Sequence, residues 1–481
     1  MYLKGIGIAC HLSEMLSDSL VEKDKILKQT ERGLRDVALA VAKAKPHTIV
    51  VITPHGAVFD DAVAISYDTK LSGNMSVFGV SRSGIEKPCD MGLLDELRDR
   101  LAEAGCRHIF VNSRVAEDYG LPLILDRGSL VPLSFIDKVY PDYQLVHMTV
   151  GDLSFYELYR FGHILRQAIE VAGHDTVIIA SGDLAHLPRD RNPEEVREVR
   201  AFNQKIAMAL RNKNFETILT MPADAYSHLR QCGLKPLVTA LGAFDGIVTE
   251  SLVFTETEAL GIGCVNAWIA DDLSKKDPVT ESLLTRLDEQ RKAKFARALA
   301  SDDAACGLAM NAVSAWIHHN EKFDADIYLS QHDDHQTAEY LKHTQGAVMV
   351  TIYKDGEIRG AAGGLSAERD NLCAEIVHRA IEAAAFDPRF LPIEPEELGQ
   401  IDIVVDLRGE PEQIGDPACV DPQKHGLIVE QHLNRGIVTP GLTDVSLTSY
   451  IEAAERSAGI VSADDGKIVF FRFDVERHRI K

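Results

Sequence analysis

The chain has 481 residues, about three times a typical domain of roughly 150, so two or three compact units are expected. Its 45% hydrophobic and 26% charged residues, with 34 Gly and 18 Pro, exclude collagen-like, low-complexity and wholly disordered classes. The 51 basic and 73 acidic side chains leave a formal charge of −22, which repels phosphate backbones and anionic membrane surfaces, so neither nucleic acid nor a membrane is an expected partner.

Met1-Tyr2-Leu3-Lys4 leads into only six weakly apolar residues before His11, too short for a secretory core, and no apolar run reaches membrane-spanning length. The first half then alternates β-rich runs with helical patterns. Strands are expected at 6–9, 48–53, 107–112, 143–150 and 175–180. Between the first two, Ile26, Leu27, Leu34, Val37, Ala38 and Val41 recur near the 3.6-residue period, which predicts a crossover helix. Further helices are expected at 154–171, closed by Gly173, and at 193–210. This is the pattern of an α/β domain with a mainly parallel or mixed central sheet flanked by helices.

Near residue 270 the pattern changes: the stretch 270–278 is polar and ends in Pro278, which reads as a linker. The expected division is a first domain over 1–272, a linker over 273–284 and a second domain over 285–481. Helical segments run to about 320, and the Asp355-Gly356 pair between apolar runs marks a hairpin. A helix at 373–385 and strands at 401–406, 426–429 and 467–473 complete an α+β second domain. The run holding His318, His319, His332, Asp333, Asp334 and His335 lacks regular ligand spacing and reads as a solvated loop. Eight scattered cysteines form no C-x-x-C pair, so neither a zinc knuckle nor a disulfide framework is indicated and a reduced, cytoplasmic setting is expected. A homo-oligomeric assembly is compatible with the sequence.

Three histidines share one topological address. His11 follows the first expected strand, His55 follows the run 49–54, and His186 lies beyond 177–180 in Ser181-Gly182-Asp183-Leu184-Ala185-His186. In an open α/β sheet the carboxyl ends of the strands form the ligand crevice, so three imidazoles placed there can converge. The alternative for each is a loop histidine with a satisfied hydrogen bond.

At these residues the chain resembles a family. With His11, Thr53-Pro54-His55-Gly56, the stretch 71–79, Leu125-Asp126-Arg127-Gly128-Ser129, Ser181 to His186 and Cys232-Gly233-Leu234-Lys235-Pro236, the first 270 residues resemble the class III extradiol ring-cleaving dioxygenases and the related Memo-like proteins. The remainder resembles an AMMECR1 domain, through Ile358 to Gly363, Ala384 to Phe390 and Lys424 to Glu430. The resemblance implies a non-haem metal held by two histidines and a carboxylate, with a further histidine as acid/base. His11 and His55 fall on the ligand positions and His186 on the catalytic one. It also implies a small aromatic substrate of catechol or aminophenol type, dioxygen as partner, and Fe(II) as the metal, with Zn or Cu as alternatives. An uncoordinated imidazole suits proton transfer because its pKa lies near neutrality.

Three positions depart from the family pattern. Gln231 stands where the dioxygenases commonly place glutamate, which leaves the third ligand open among Gln231, Cys232 and Glu14. A Cys232 thiolate favours a softer metal, as in Memo-like proteins, and the alternative is a buried filler residue. Arg127 replaces an active-site histidine; it can pair with an anionic ring substituent, or simply sit in a surface turn. Asp183 is read as orienting a histidine or capping a turn, and as a candidate substrate contact. A Ser181 hydrolase reading fails for want of a G-x-S-x-G elbow. Ala361 replaces the cysteine usual in AMMECR1 domains, and the glycines of 360–364 are read as tight packing rather than a phosphate cradle.

Overall fold

The short β-branched runs and the amphipathic helices between them build an eight-stranded mixed sheet in the first of two compact units, Met1–Leu287. The computed structural model describes all residues except 17–24, 75, 77–83, 189–191, 223–224, 273, 276–278, 322, 355, 441–445, 461–467 and 481. Of the expectations above, Met75 and 77–79 of the family stretch, linker residues 273 and 276–278, Asp355 of the hairpin turn and residue 467 lie outside the described residues.

The strands of this unit are β1 (Leu3–Ala9), β2 (Thr48–Thr53), β3 (Val63–Ser66), β6 (His108–Val111), β7 (Gln144–Thr149), β8 (Thr176–Ser181), β9 (Thr249–Ala259) and β10 (Ile262–Asp271), while β4 (Lys70–Gly73) and β5 (Ile85–Pro88) form a separate ribbon. The sheet order is β6-β3-β7-β2-β8-β1-β10-β9. Strands β1, β8, β2 and β7 are parallel; β3 runs antiparallel to β7, and the β9–β10 hairpin adds antiparallel to β1. Every residue of β2 and β8 is buried, so both read as continuous apolar runs rather than alternating ones, as strands covered on both faces must.

The helices are α1 (Lys25–Ala44), α2 (Met91–Glu103), α3 (Ser113–Tyr119), α4 (Arg127–Ile136), α5 (Phe155–Ala172), α6 (Pro193–Asn212), α7 (Glu216–Leu219) and α8 (Leu234–Gly242). In α1 the expected face is the buried one: Leu27, Leu34, Val37, Ala38 and Val41. Helix α5 starts where Ser154 and Glu157 form a capping box and stops at Gly173, whose φ of 71° a side chain would disfavour.

The second unit, Asp288–Lys481, has its own core, in which Val348, Val350, Ile352, Ile376, Ala380, Ile403 and Val405 are buried. The division between units falls inside α9 (Leu283–Leu299). The further helices are α10 (Ala304–His319), α11 (Ala325–Gln331), α12 (His335–His343), α13 (Leu372–Ala385) and α14 (Leu447–Ser457). Strands β11 (Ala347–Lys354), β12 (Glu357–Gly363), β13 (Ile401–Arg408), β14 (Glu412–Ile414), β15 (His425–Gln431), β16 (Asn434–Val438) and β17 (Val469–Arg479) pair antiparallel. A Cβ on Gly360 would stand 2.1 Å from the Ala383 carbonyl oxygen, so the glycine lets β12 lie against α13. The histidines expected in one solvated loop sit instead at helix ends: His318 and His319 close α10 and His335 opens α12.

A half-buried pair ties the two ends of this unit together. Asp303 caps α10 by accepting from Cys306 N at 2.9 Å, and His478 Nδ1 of β17 meets its other oxygen at 2.8 Å. Burial alone would lower the His478 pKa, but the bond to Asp303 together with the charges of Asp303, Glu476 and Asp406 outweighs it and raises the pKa. The stabilisation this histidine contributes is complete below its unfolded value near 6.5 and is lost as pH rises through the folded one. Thermal melts of the full chain should therefore show this unit losing stability as pH rises above about 6.5, and His478→Gln should flatten that dependence.

Candidate metal centre

Parallel pairing brings the histidines together. Ala9 stands opposite Ser181, and Ile8 and Ile52 each stand opposite Ala180, so the loops after β1, β2 and β8 leave the sheet at one level. His11 and His55 each lie two residues beyond their strands, and their Nε2 atoms are 3.2 Å apart. Cys232 arrives from a fourth segment, just before α8, with Sγ 3.7 Å from His11 Nε2. That approach needs a glycine: a Cβ on Gly182 would stand 2.2 Å from Gly233 Cα. The two loops are then pinned by the Asp183 carbonyl, which accepts from Cys232 N at 3.1 Å and Gly233 N at 2.8 Å. Gly182→Ala should part them, destabilise the unit by about 1–3 kcal/mol and weaken metal retention; melting and elemental analysis read both.

The hydrogen bonds fix where the protons sit. Ser181 Oγ donates its one hydrogen to the Gly128 carbonyl at 2.5 Å, so it accepts from His11 Nδ1 at 3.1 Å. His11 Nε2 therefore carries a lone pair, aimed at His55 Nε2. Arg127 Nη2 lies 3.4 Å from that same His55 nitrogen, and a guanidinium can only donate. Burial, then the neighbouring His55 and Arg127, press the His11 pKa down to about 3, so the ring is neutral at pH 7. Its 3.4 Å approach to Asp183 Oδ2 is consequently not an ion pair but two electron-rich atoms facing each other.

Such a set fits a cation. Nitrogen and sulfur ligands about 2.0–2.3 Å from a zinc-class ion in a tetrahedral array stand about 3.3–3.6 Å from one another. The observed 3.2 and 3.7 Å lie close to that spacing. Burial, then the Asp183 carboxylate, push the Cys232 thiol up to about 12, so an adjacent cation is what would let it ionise.

Behind the centre lies a carboxylate that sequence reasoning did not single out. Asp126 caps α4 by accepting from Gly128 N at 2.7 Å, and it also accepts from Thr53 Oγ1 at 2.8 Å, Ser129 Oγ at 2.9 Å and His147 Nε2 at 2.9 Å. Burial would raise its pKa, yet the His147 bond and the two hydroxyls bring it to about 2. This network sets where Arg127, the first residue of α4, stands. A capping Asp before the apolar run of α4 and a histidine inside the apolar strand β7 were the available signals.

The remaining expected residues separate clearly. Asp183 Oδ1 accepts from His11 N at 3.1 Å, so it holds the main chain of that histidine. His186 Nε2 is buried with no hydrogen-bond partner among the described residues, and its ring is close enough to Asp183 and Arg127 to feel both charges. Burial lowers its pKa, which leaves a neutral imidazole. Gln231 turns away, its Oε1 accepting from Leu234 N at 3.2 Å at the start of α8. Glu14 is exposed in the turn Ser13–Leu16. Of the three candidate third ligands, Cys232 is the one that joins the imidazoles among the described residues. Ser181 is fully buried and its hydroxyl is committed to Gly128.

Comparison with known proteins adds a family to this geometry. The family of the catalytic LigB subunit of aromatic ring-opening dioxygenase matches residues 6–265, and the AMMECR1 family matches residues 306–478. A protein of Clostridium acetobutylicum is 28% identical over 484 residues, covering 100% of both chains. A Thermotoga maritima protein is 38% identical over 149 residues, 31% of this chain and 84% of its own. Among solved structures, an uncharacterized protein of Escherichia coli K12 is 16% identical, with 55% of this chain and 99% of that one covered and a TM-score of 0.34. No helix among the described residues is long and apolar enough to cross a membrane.

Proposed function

We infer, from the premise that this chain belongs to the family of the catalytic LigB subunit of aromatic ring-opening dioxygenases and carries an AMMECR1 domain after it, that its N-terminal unit is a metal-dependent extradiol-type dioxygenase acting on a catechol- or aminophenol-like ring. The observation that carries the reading is the His11 Nε2 lone pair turned toward His55 Nε2 at 3.2 Å with Cys232 Sγ at 3.7 Å, a donor set whose spacing suits a metal ion. When bound, Fe(II) supplies the electron transfer between an electron-rich ring and dioxygen.

The protein's own part is to hold, orient and move protons. His11 and His55 are neutral and so ready to ligate, with His11 locked in one tautomer by Ser181 and its backbone held by Asp183. His186, a neutral imidazole with a free buried nitrogen, accepts a phenolic proton and later returns it. Arg127, held at the start of α4 beside His55, pairs with an anionic ring substituent.

Cys232 supports a second reading. A thiolate among the ligands favours copper or zinc, and with either the unit is a Memo-like metal- or small-molecule-binding module without turnover. Anaerobic reconstitution with Fe(II), then exposure to oxygen with catechols, aminophenols and their carboxylated forms, separates the two. The dioxygenase consumes oxygen and prefers carboxylated rings, and Arg127→Ala raises KM more than it lowers kcat. Full metal occupancy without oxygen uptake across the panel selects the binding module.

A further inference from the structure

The loops before the strands, at the opposite end of the same sheet, hold a second group of ligands. His47 immediately precedes β2 and His174 lies two residues before β8, and these parallel strands pair in register from Thr48 against Thr176. Both rings face one oxygen of Asp90: His174 Nδ1 is 3.4 Å and His47 Nδ1 3.8 Å from Asp90 Oδ2. The ring centroids are 4.3 Å apart. We propose that His47, Asp90 and His174 bind a zinc-class divalent cation, separately from the centre built on His11 and His55.

The geometry supports a built site rather than a chance encounter of surface groups. Asp90 is only 2% exposed, whereas each imidazole is 43% exposed, so a buried charge meets two ligands open to solvent. The other Asp90 oxygen is engaged, capping α2 through Leu93 N at 3.0 Å, and this fixes the carboxylate's orientation. Thr48 Oγ1 donates to Oδ2 at 2.5 Å, an outer contact of the kind that orients a ligating carboxylate. The main chain around both rings is tied down as well: His47 N donates to the Asp175 carbonyl at 2.7 Å, Gln144 N to the His47 carbonyl at 2.8 Å, and Thr176 Oγ1 to the His174 carbonyl at 2.8 Å.

The spacing is right for an ion. Ligand atoms about 2.0–2.2 Å from zinc in a tetrahedral array stand about 3.3–3.6 Å apart, so small rotations of two exposed rings close the set. His47 Nδ1 is 2.9 Å from Thr48 Oγ1, whose hydrogen is on Asp90, so in the metal-free protein this nitrogen is protonated; on binding, the proton shifts to the ring's other nitrogen. Both histidines line a cavity of about 720 Å³, whose wall also carries Tyr140, Tyr143 and Asp142. Three protein ligands and an open side are the arrangement that leaves a position for water or an oxygen ligand.

Anaerobic titration of the full chain with Co(II) tests this, because the two sites differ in sulfur. The wild type should take up two equivalents, one of them with sulfur-to-cobalt charge-transfer absorption. His174→Ala should lose the equivalent that lacks this absorption, or bind it at least about tenfold more weakly, while the sulfur band stays. Asp90→Asn should do the same, since its amide oxygen still caps α2 and the fold is kept. Cys232→Ser should remove only the sulfur band. A single equivalent without that absorption, lost in His174→Ala, would support this site and count against the first centre. Two results overturn the proposal: a wild type that binds one equivalent with the sulfur band, or undiminished uptake in both His174→Ala and Asp90→Asn.

Discussion

His186→Ala keeps its metal and loses turnover by about 10²–10⁴-fold, the usual cost of removing one acid/base group. The reason lies in where the ring stands. Among the described residues His186 Nε2 is buried and unpartnered, yet it is not one of the atoms that cluster with His11 and His55. Its main chain is fixed by donation from His186 N to the Arg230 carbonyl at 2.9 Å, so the truncated variant keeps the loop. Metal content and melting temperature should therefore match the wild type while ring opening collapses. His186→Gln, which restores a polar side chain without a titratable nitrogen, should not recover the rate.

His55→Ala has the opposite signature: the first centre loses its ion, and activity disappears with it. Cutting one of two imidazoles from a set whose remaining members are one nitrogen and a thiol pushed up to about 12 leaves too little to ionise that thiol. His55 is the better test than His11 because its loop is held by the main chain, through Thr149 Oγ1 donating to the His55 carbonyl at 2.9 Å and His55 N donating to Thr53 Oγ1 at 3.2 Å. His11 is fully buried and bonded to Ser181, so its removal would also open a hole in the core. Loss of the sulfur-to-cobalt absorption in a folded His55→Ala protein is the expected result.

The parallel core of the sheet was legible because β2 and β8 are short runs rich in β-branched residues, and the helices because their apolar faces and caps recur at regular spacing. The β9–β10 hairpin was not. Its turn is Leu260-Gly261, with φ of 55° and 80°, and a leucine in the left-handed region carries none of the Asn-Gly signal that marks such turns. Strand β3 spans four residues, too few for a period to show.

The site divides along the same line. Histidines placed just after predicted strands point to a crevice from order along the chain alone. Cys232 stayed open because a cysteine in apolar sequence reads alike as filler or ligand. What decides its place is the contact between Gly182 and Gly233, a property of two loops distant in sequence. Asp126 was hidden for a similar reason: its partners Thr53, Ser129 and His147 come from three separate elements.

The most direct measurement is anomalous diffraction from crystals of the full chain reconstituted with iron or zinc. A metal peak enclosed by His11 Nε2, His55 Nε2 and Cys232 Sγ, within about 2.0–2.4 Å of each, is the expected result. A crystal with metal bound elsewhere and no peak between these three atoms would contradict it.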